Sequence, residues 1–319
     1  MKSINLSALH QVEYAVADLA ASQEFFQQVF GEYEVERNFS QVLTNPALAI
    51  SHAGFGESVQ QFCQPLMAGL PHYDALQAYG LCVHNLCYLV NSIDNIVANC
   101  QGAGLETLIE FPMDDNWRTM IPEDNLQGNH QSYIINTRAV FGFQLELAET
   151  PWINEPQPPL MLPAHGPQWA QLGVASGNML RAISVVVEDL EQTLAALEAV
   201  FAGSETVITP PQTTADGSVK IMVIELGLIH MVYLQPLVEG SELAIFLQQR
   251  GPAVHSLVAE VPELAQVEAA LDAFDVASDE PEAALLVGLE QGQQLGRRTL
   301  QVHSLKQVGV EFTLLEAAG

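Results

Sequence analysis

LHQVEYAVADL, residues 9–19, returns 171 positions later as LRAISVVVEDL, residues 180–190. At the same spacing QPLMAG (64–69) is answered by QPLVEG (235–240), and VHNL (83–86) by VHSL (254–257). Three matches at one offset mark a duplicated architecture. Within the first copy, Val12, Tyr14 and Val16 alternate with Gln11, Glu13 and Ala15, the period of a strand with two unlike faces. Asp18 then caps a helix that carries Leu19, Phe25, Phe26, Val29 and Phe30 on one side and stops at Gly31. The run CVHNLCYLV from Cys82 has the same rhythm, so each half holds two smaller units. The spacing predicts a strand, a helix and three further strands, βαβββ, four times over.

The length suits two domains of ordinary size. A first domain is predicted over residues 1–150, a proline-rich connector over 151–177 and a second domain over 178–319. Six prolines from Pro151 to Pro167, with little periodicity, argue for an ordered connector rather than an element. A second irregular stretch, from Pro112 to His130, interrupts the strands of the second unit. A loop of that length inside a compact module is often functional, although a solvated insertion accounts for it equally well.

Net charge is −28 with only ten Lys and Arg, too few cations to neutralise nucleic-acid phosphates or to hold an anionic membrane. No apolar stretch approaches the roughly 20 residues of a membrane helix, and the start of the chain lacks a signal-like pattern, so a cytoplasmic protein is expected. Cys63, Cys82, Cys87 and Cys100 show no CxxC spacing. They read as reduced, buried residues rather than bridges or zinc ligands.

VEYAVADLAASQEFFQQVFG (12–31), CYLVNSIDNIVANCQGAGL (87–105) and FGFQLELAE (141–149) resemble the vicinal oxygen chelate superfamily, which includes glyoxalases, bleomycin-resistance proteins and type I extradiol dioxygenases. The likeness covers nearly the whole chain in a four-module, two-domain form. It implies an α+β fold in which paired modules curl into half-open barrels, with a divalent metal on the inner wall held from the first and last strands of each module. Carried onto this sequence, the ligand positions fall on Gln11, Gln61, Asn85 and Glu146 in the first domain. In the second they fall on Ala182, Val232, Ser256 and Thr313, and alanine and valine cannot bind a cation. The second domain is therefore expected to be metal-free, unlike an ordinary extradiol dioxygenase.

Relatives commonly present histidine at the positions of Gln11 and Asn85. Three neutral amides and one carboxylate make a weakly charged site, so either a divalent metal of unknown identity binds there or the pocket has lost it. His10 and His84 lie one residue away. Slipping the register to reach them would bury Glu13 unpaired, but a β-bulge would bring them in and give a His10, His84, Glu146 set.

By parity the inner wall of the first domain carries Gln11, Glu13, Gln61, Cys63, Asn85, Cys87, Gln144 and Glu146. Glu146 and Glu13 are the candidate acid and base, because facing carboxylates push their pKa values apart; the alternative is that both simply accept hydrogen bonds. Cys87, Gln144 and Arg118 are candidate ligand contacts, and Arg37, Arg118 and Arg138 are scarce cations that a ligand carboxylate or enolate could use. Two functions follow. One is an enzyme of lyase, isomerase or ring-cleaving dioxygenase type, metal-assisted or not, acting on a small organic molecule. The other is a metal-free binding protein of the bleomycin-resistance type. Four modules can pair within one chain, so a monomer or a homodimer is expected.

Overall fold

A computed structural model describes residues 6–31, 43–44, 47–55, 58–90, 93–111, 132–149, 178–203, 206–226, 229–281 and 297–317. Its first sheet contains β1 (Leu6–Ala15), β2 (Leu43–Thr44), β3 (Ala47–Phe55), β4 (Ser58–Pro65), β5 (Cys82–Val90), β6 (Thr107–Phe111), β7 (Ser132–Ile135) and β8 (Gln144–Glu149). Their order is β2-β3-β4-β1-β5-β8-β7-β6. The first and last strands of each module are parallel, β1 with β4 and β5 with β8, and the two modules join where β1 runs antiparallel to β5.

The second sheet repeats the plan with β9 (Met179–Val186), β10 (Val207–Ile208), β11 (Gln212–Thr213), β12 (Val219–Leu226), β13 (Ile229–Pro236), β14 (Ala253–Val261), β15 (Ser278–Asp279), β16 (Thr299–Val302) and β17 (Glu311–Glu316). Here β9 is parallel to β13, β14 is parallel to β17, and β9 meets β14 antiparallel. The fold is thus α+β, with four βαβββ units paired two by two. The connector expected over 151–177 lies outside the described residues, as does the whole irregular stretch from Pro112 to His130.

Helix α1 (Leu19–Phe30) starts where Asp18 accepts the Ala21 amide at 3.0 Å and ends at Gly31, whose φ is +65°. Helix α2 (Pro71–Tyr79) is additional to the expected unit, and Pro71 in its first turn, with its preset φ and no N–H to leave orphaned, helps start it. Helix α3 (Ile93–Gly102) follows β5, and the second half has matching helices at Leu190–Val200, Glu242–Arg250 and Leu264–Leu271.

Val12, Tyr14, Leu86, Tyr88, Leu145 and Leu147 are fully buried on one face of the first sheet. Their counterparts in the second half join them in one continuous apolar core. Phe26 meets Phe312 edge-on at 5.7 Å and Phe25 meets Phe274 at 5.4 Å, so aromatic contacts cross between the halves. Two glycines let the halves close. Gly142 has φ +78°, and a Cβ there would strike Val185 and the Ala253 backbone; Gly309 has φ +82°, and a Cβ there would strike the Leu81–Cys82 backbone.

With Val12 and Tyr14 of β1 in the core, Gln11 and Glu13 face the other way, onto the concave side of the first sheet. That side is polar. The concave side of the second sheet is filled instead by Ala182, Val232, Leu234, Leu243, Phe246 and Val258.

Candidate functional site

Neighbouring strands set one row of side chains across the concave face of the first sheet: Gln61 on β4 opposite Glu13 on β1, Glu13 opposite Asn85 on β5, and Asn85 opposite Gln144 on β8. Glu146 stands one step further along β8, opposite Cys87. Between Asn85 and Val83 the register with β1 slips by one residue, and the extra residue is His84. This is a β-bulge, which adds local twist and re-aims the residue it leaves unpaired. The same slip occurs at His255 in the second half.

The Glu13 carboxylate is the centre of the cluster. One of its oxygens accepts from His72 Nε2 and from Asn85 Nδ2, each at 2.7 Å, and the other accepts from Gln61 Nε2 at 2.6 Å. Gln61 Oε1 and His52 Nε2 lie 2.8 Å apart, which fixes the glutamine's orientation. Glu146 accepts from Ser132 Oγ at 3.1 Å and, more weakly, from Asn85 Nδ2 at 3.4 Å. Asn85 therefore divides its amino group between two carboxylates, while its buried Oδ1 has no partner. Glu13, His72 and Asn85 are buried, whereas Gln61, Ser132 and Glu146 are partly exposed and form the wall toward solvent.

The two carboxyl groups are driven apart. Burial alone would raise Glu13, but the His72 charge and hydrogen bond, aided by His84, hold its carboxyl well below the usual range. Burial works against a charge on His72 as well, yet Glu13 dominates and raises it above the ordinary imidazole value. The two side chains stand 2.7 Å apart, the geometry of an ion pair. Glu146 is pushed up to about 7, first by burial and then by the negative charge of Glu13, with Ser132 and Asn85 opposing. Burial lowers His84 and raises the thiols of Cys63 and Cys87, so these stay neutral.

The residues singled out in the sequence are distributed as follows. Glu13, Gln61, Asn85 and Glu146 come together. Gln11 is partly exposed and takes no part in the network among the described residues. The Gln144 side-chain oxygen accepts the Thr137 and Arg138 amides at 2.9 and 3.4 Å, so it secures the turn before β8. Cys87 is buried beside Glu146 in register. Arg118 and the side chain of His10 lie outside the described residues. His72 and His52 were not anticipated, His72 because it arrives on α2. Its one signal in the sequence is Pro71, a helix-starting residue directly before a histidine.

Glu13, His72 and His84 place a carboxylate oxygen and two ring nitrogens within 4.8 Å of one another, atom types that bind divalent metals. Both ring nitrogens face one Glu13 oxygen, His72 Nε2 at 2.7 Å and His84 Nδ1 at 3.6 Å, but the rings are not set to share an ion. The two imidazoles are stacked, with centroids 4.4 Å apart and planes only 27° from parallel. A ligating nitrogen holds its metal in the plane of its own ring, and two such planes intersect far from both rings. The four positions implied by the resemblance fit no better, since Gln61 and Asn85 turn N–H groups toward Glu13. At the matching places of the second half stand Ser184, Val232, Leu243 and Ser256.

No protein-family model matches the sequence, and no curated protein is detectably similar to it. Solved structures do match. A triple mutant of 4-hydroxymandelate synthase from Streptomyces coelicolor aligns with 99% of this chain and 94% of its own at a TM-score of 0.60, with 16% identity. BphC, a halotolerant catechol dioxygenase, aligns with 98% of this chain and 89% of its own at a TM-score of 0.54, with 10% identity. At such identities the likeness speaks for architecture alone, and the chain shares with both structures the fold of four βαβββ modules paired into two half-open barrels.

Proposed function

We propose that the first half binds a small oxygenated organic molecule against its concave face and that Glu146 transfers a proton on it, an isomerase- or lyase-type reaction run without a resident metal. The observation that carries this is a carboxyl pushed up to about 7 next to a second one held ionised. A base poised near neutrality takes a proton from carbon and returns it most effectively at that pH. Glu146 is also partly exposed, so a ligand reaches it. Charge developing on a substrate oxygen needs a positive partner. The Asn85 amino group, held only loosely at 3.4 Å on the Glu146 side, can donate to such an oxygen while the His72 and Gln61 N–H groups stay committed to Glu13, and the Asn85 Oδ1, unpartnered among the described residues, offers an acceptor for a ligand hydroxyl. Ring cleavage with dioxygen, which the resemblance includes, requires a redox metal that this donor geometry does not favour.

Incubating the protein in D₂O with a panel of small 2-oxo and 3-oxo acids tests the reading. Glu146-dependent exchange of the carbon-bound hydrogen, insensitive to EDTA and lost in Glu146→Gln, is the expected result. Exchange that requires added Fe²⁺ or Mn²⁺ would overturn the metal-free part. Saturable binding with no exchange would leave a sequestration protein.

A further inference from the structure

Arg138 lies where a cation is expensive. It is only 7% exposed, in a protein with ten basic residues, and among the described residues no carboxylate pairs with it. Its guanidinium carbon sits 3.9 Å above the Tyr79 ring, and Nη1 donates to Val83 O at 3.4 Å. Nε and Nη2 have no oxygen acceptor among the described residues, although the Cys82 thiol interacts with the same guanidinium. Those two atoms are the side-on edge of the guanidinium, the fork that matches two oxygens of one carboxylate or phosphate.

A second guanidinium approaches from the other half of the chain. Arg250, at the end of the helix Glu242–Arg250, donates Nη1 to Leu81 O at 2.6 Å. Leu81 and Val83 are two residues apart, a span of roughly 7 Å in extended chain, so the two guanidiniums rest on neighbouring carbonyls of one segment. Arg250 is half-buried; burial weakens its hold on its proton, Cys82 and the Glu311 carboxylate oppose that, and the Arg138 charge adds to it. Gly309 packs on the same Leu81–Cys82 backbone from the second half, so the two cations flank a seam between the halves. The duplication makes the asymmetry plain. Arg250 stands 171 positions after Tyr79, and at the offset that relates Gly309 to Gly142 the counterpart of Arg138 is Leu305, which carries no charge.

We infer that the Nε–Nη2 edge of Arg138, with Arg250 beside it, is a binding site for a small oxyanion, a carboxylate or a phosphate, at the seam between the two halves. The site adjoins the Glu13 cluster, since Val83 precedes His84 and the Arg138 charge acts on that imidazole, but the inference does not rest on the proton-transfer reading. A buried fork with no oxygen acceptor is worth least empty and most when a bidentate anion fills it. Both nitrogens are closed off from solvent, so an anion enters only as the seam beside the partly exposed Arg250 opens.

The test is thermal unfolding and calorimetric titration of the full chain with inorganic phosphate and, separately, malonate, each against sodium chloride of equal ionic strength. A saturable rise in unfolding temperature with one of them, absent with chloride, is expected, and whichever acts more strongly identifies the anion class. Arg138→Lys keeps the charge but loses the fork, and should weaken binding about tenfold or more, as loss of one charge-assisted hydrogen bond implies. Arg250→Gln, at a half-exposed position that tolerates replacement, should weaken it as well and decides the matter if Arg138→Lys does not fold. No saturable response in the native protein, or an unchanged response in Arg250→Gln, overturns the proposal.

Discussion

The His72 imidazole lies 2.7 Å from the Glu13 carboxylate, and 171 positions further on the same two places are held by Leu243 and Ser184. The duplicated chain thus carries its own comparison: one concave face with a histidine and a glutamate at these two places and one with a leucine and a serine. His72→Leu alone leaves Glu13 buried with amide donors and the more distant His84, and should cost about 3–5 kcal/mol. Adding Glu13→Ser, which completes the second half's arrangement, should restore most of that stability. A double-mutant cycle by urea unfolding measures the coupling, and additive losses would show that the pair is not linked.

Glu146 gives a stability effect with a defined sign. Its pKa is about 7 in the fold against 4.5 for an ordinary glutamate, so between those values the folded chain holds a proton the unfolded chain has released. Stability therefore falls as pH rises through about 4.5 to 7. Glu146→Gln removes this component: its unfolding temperature should match the native protein near pH 4.5 and exceed it by a few degrees at pH 8, about what 1–2 kcal/mol moves in a chain of this size. Glu311, also near 7, and His72, raised above its ordinary value, leave a remaining alkaline decline. An equal offset at both pH values would rule out the titration.

Much of this was legible in the sequence, because strand parity is a hard constraint. Once Val12 and Tyr14 are assigned to the core, Glu13 must face the other way, and the same logic puts Gln61, Asn85 and Glu146 on one wall. What parity does not contain is tertiary. His72 comes from a helix whose placement depends on packing against β1, β4 and β5, and a bulge inserts one residue at His84 without any glycine to announce it. Gln144 obeys its parity, yet its oxygen is drawn to the backbone amides of Thr137 and Arg138, nearer donors than any ligand.

The stacked imidazoles predict how the protein responds to metals. After treatment with chelator and its removal, Zn²⁺, Mn²⁺ or Fe²⁺ at micromolar concentration should leave the unfolding temperature unchanged. A true site would raise it with the logarithm of metal concentration. Such a rise, abolished by His84→Ala, would show that His72 and His84 rotate out of their stack to share an ion.

The seam between the halves makes the last prediction. Gly142, Gly309 and Gly203 all have φ near +80°, but a Cβ at Gly203 meets nothing within 4 Å. Gly203→Ala therefore reports backbone strain alone, about 1 kcal/mol. Gly142→Ala adds a clash in which the Val185 side chain has some freedom to move, while Gly309→Ala drives a methyl into the fixed backbone of Leu81 and Cys82. Losses measured by urea midpoint should rise in the order Gly203, Gly142, Gly309, with the last several kcal/mol and large enough to pull the halves apart. Because Gly309 presses on the same segment that Arg250 and Arg138 share, its alanine variant should lose the phosphate or malonate response too. Equal costs at all three positions would mean that the halves do not meet as closely as the two glycines imply.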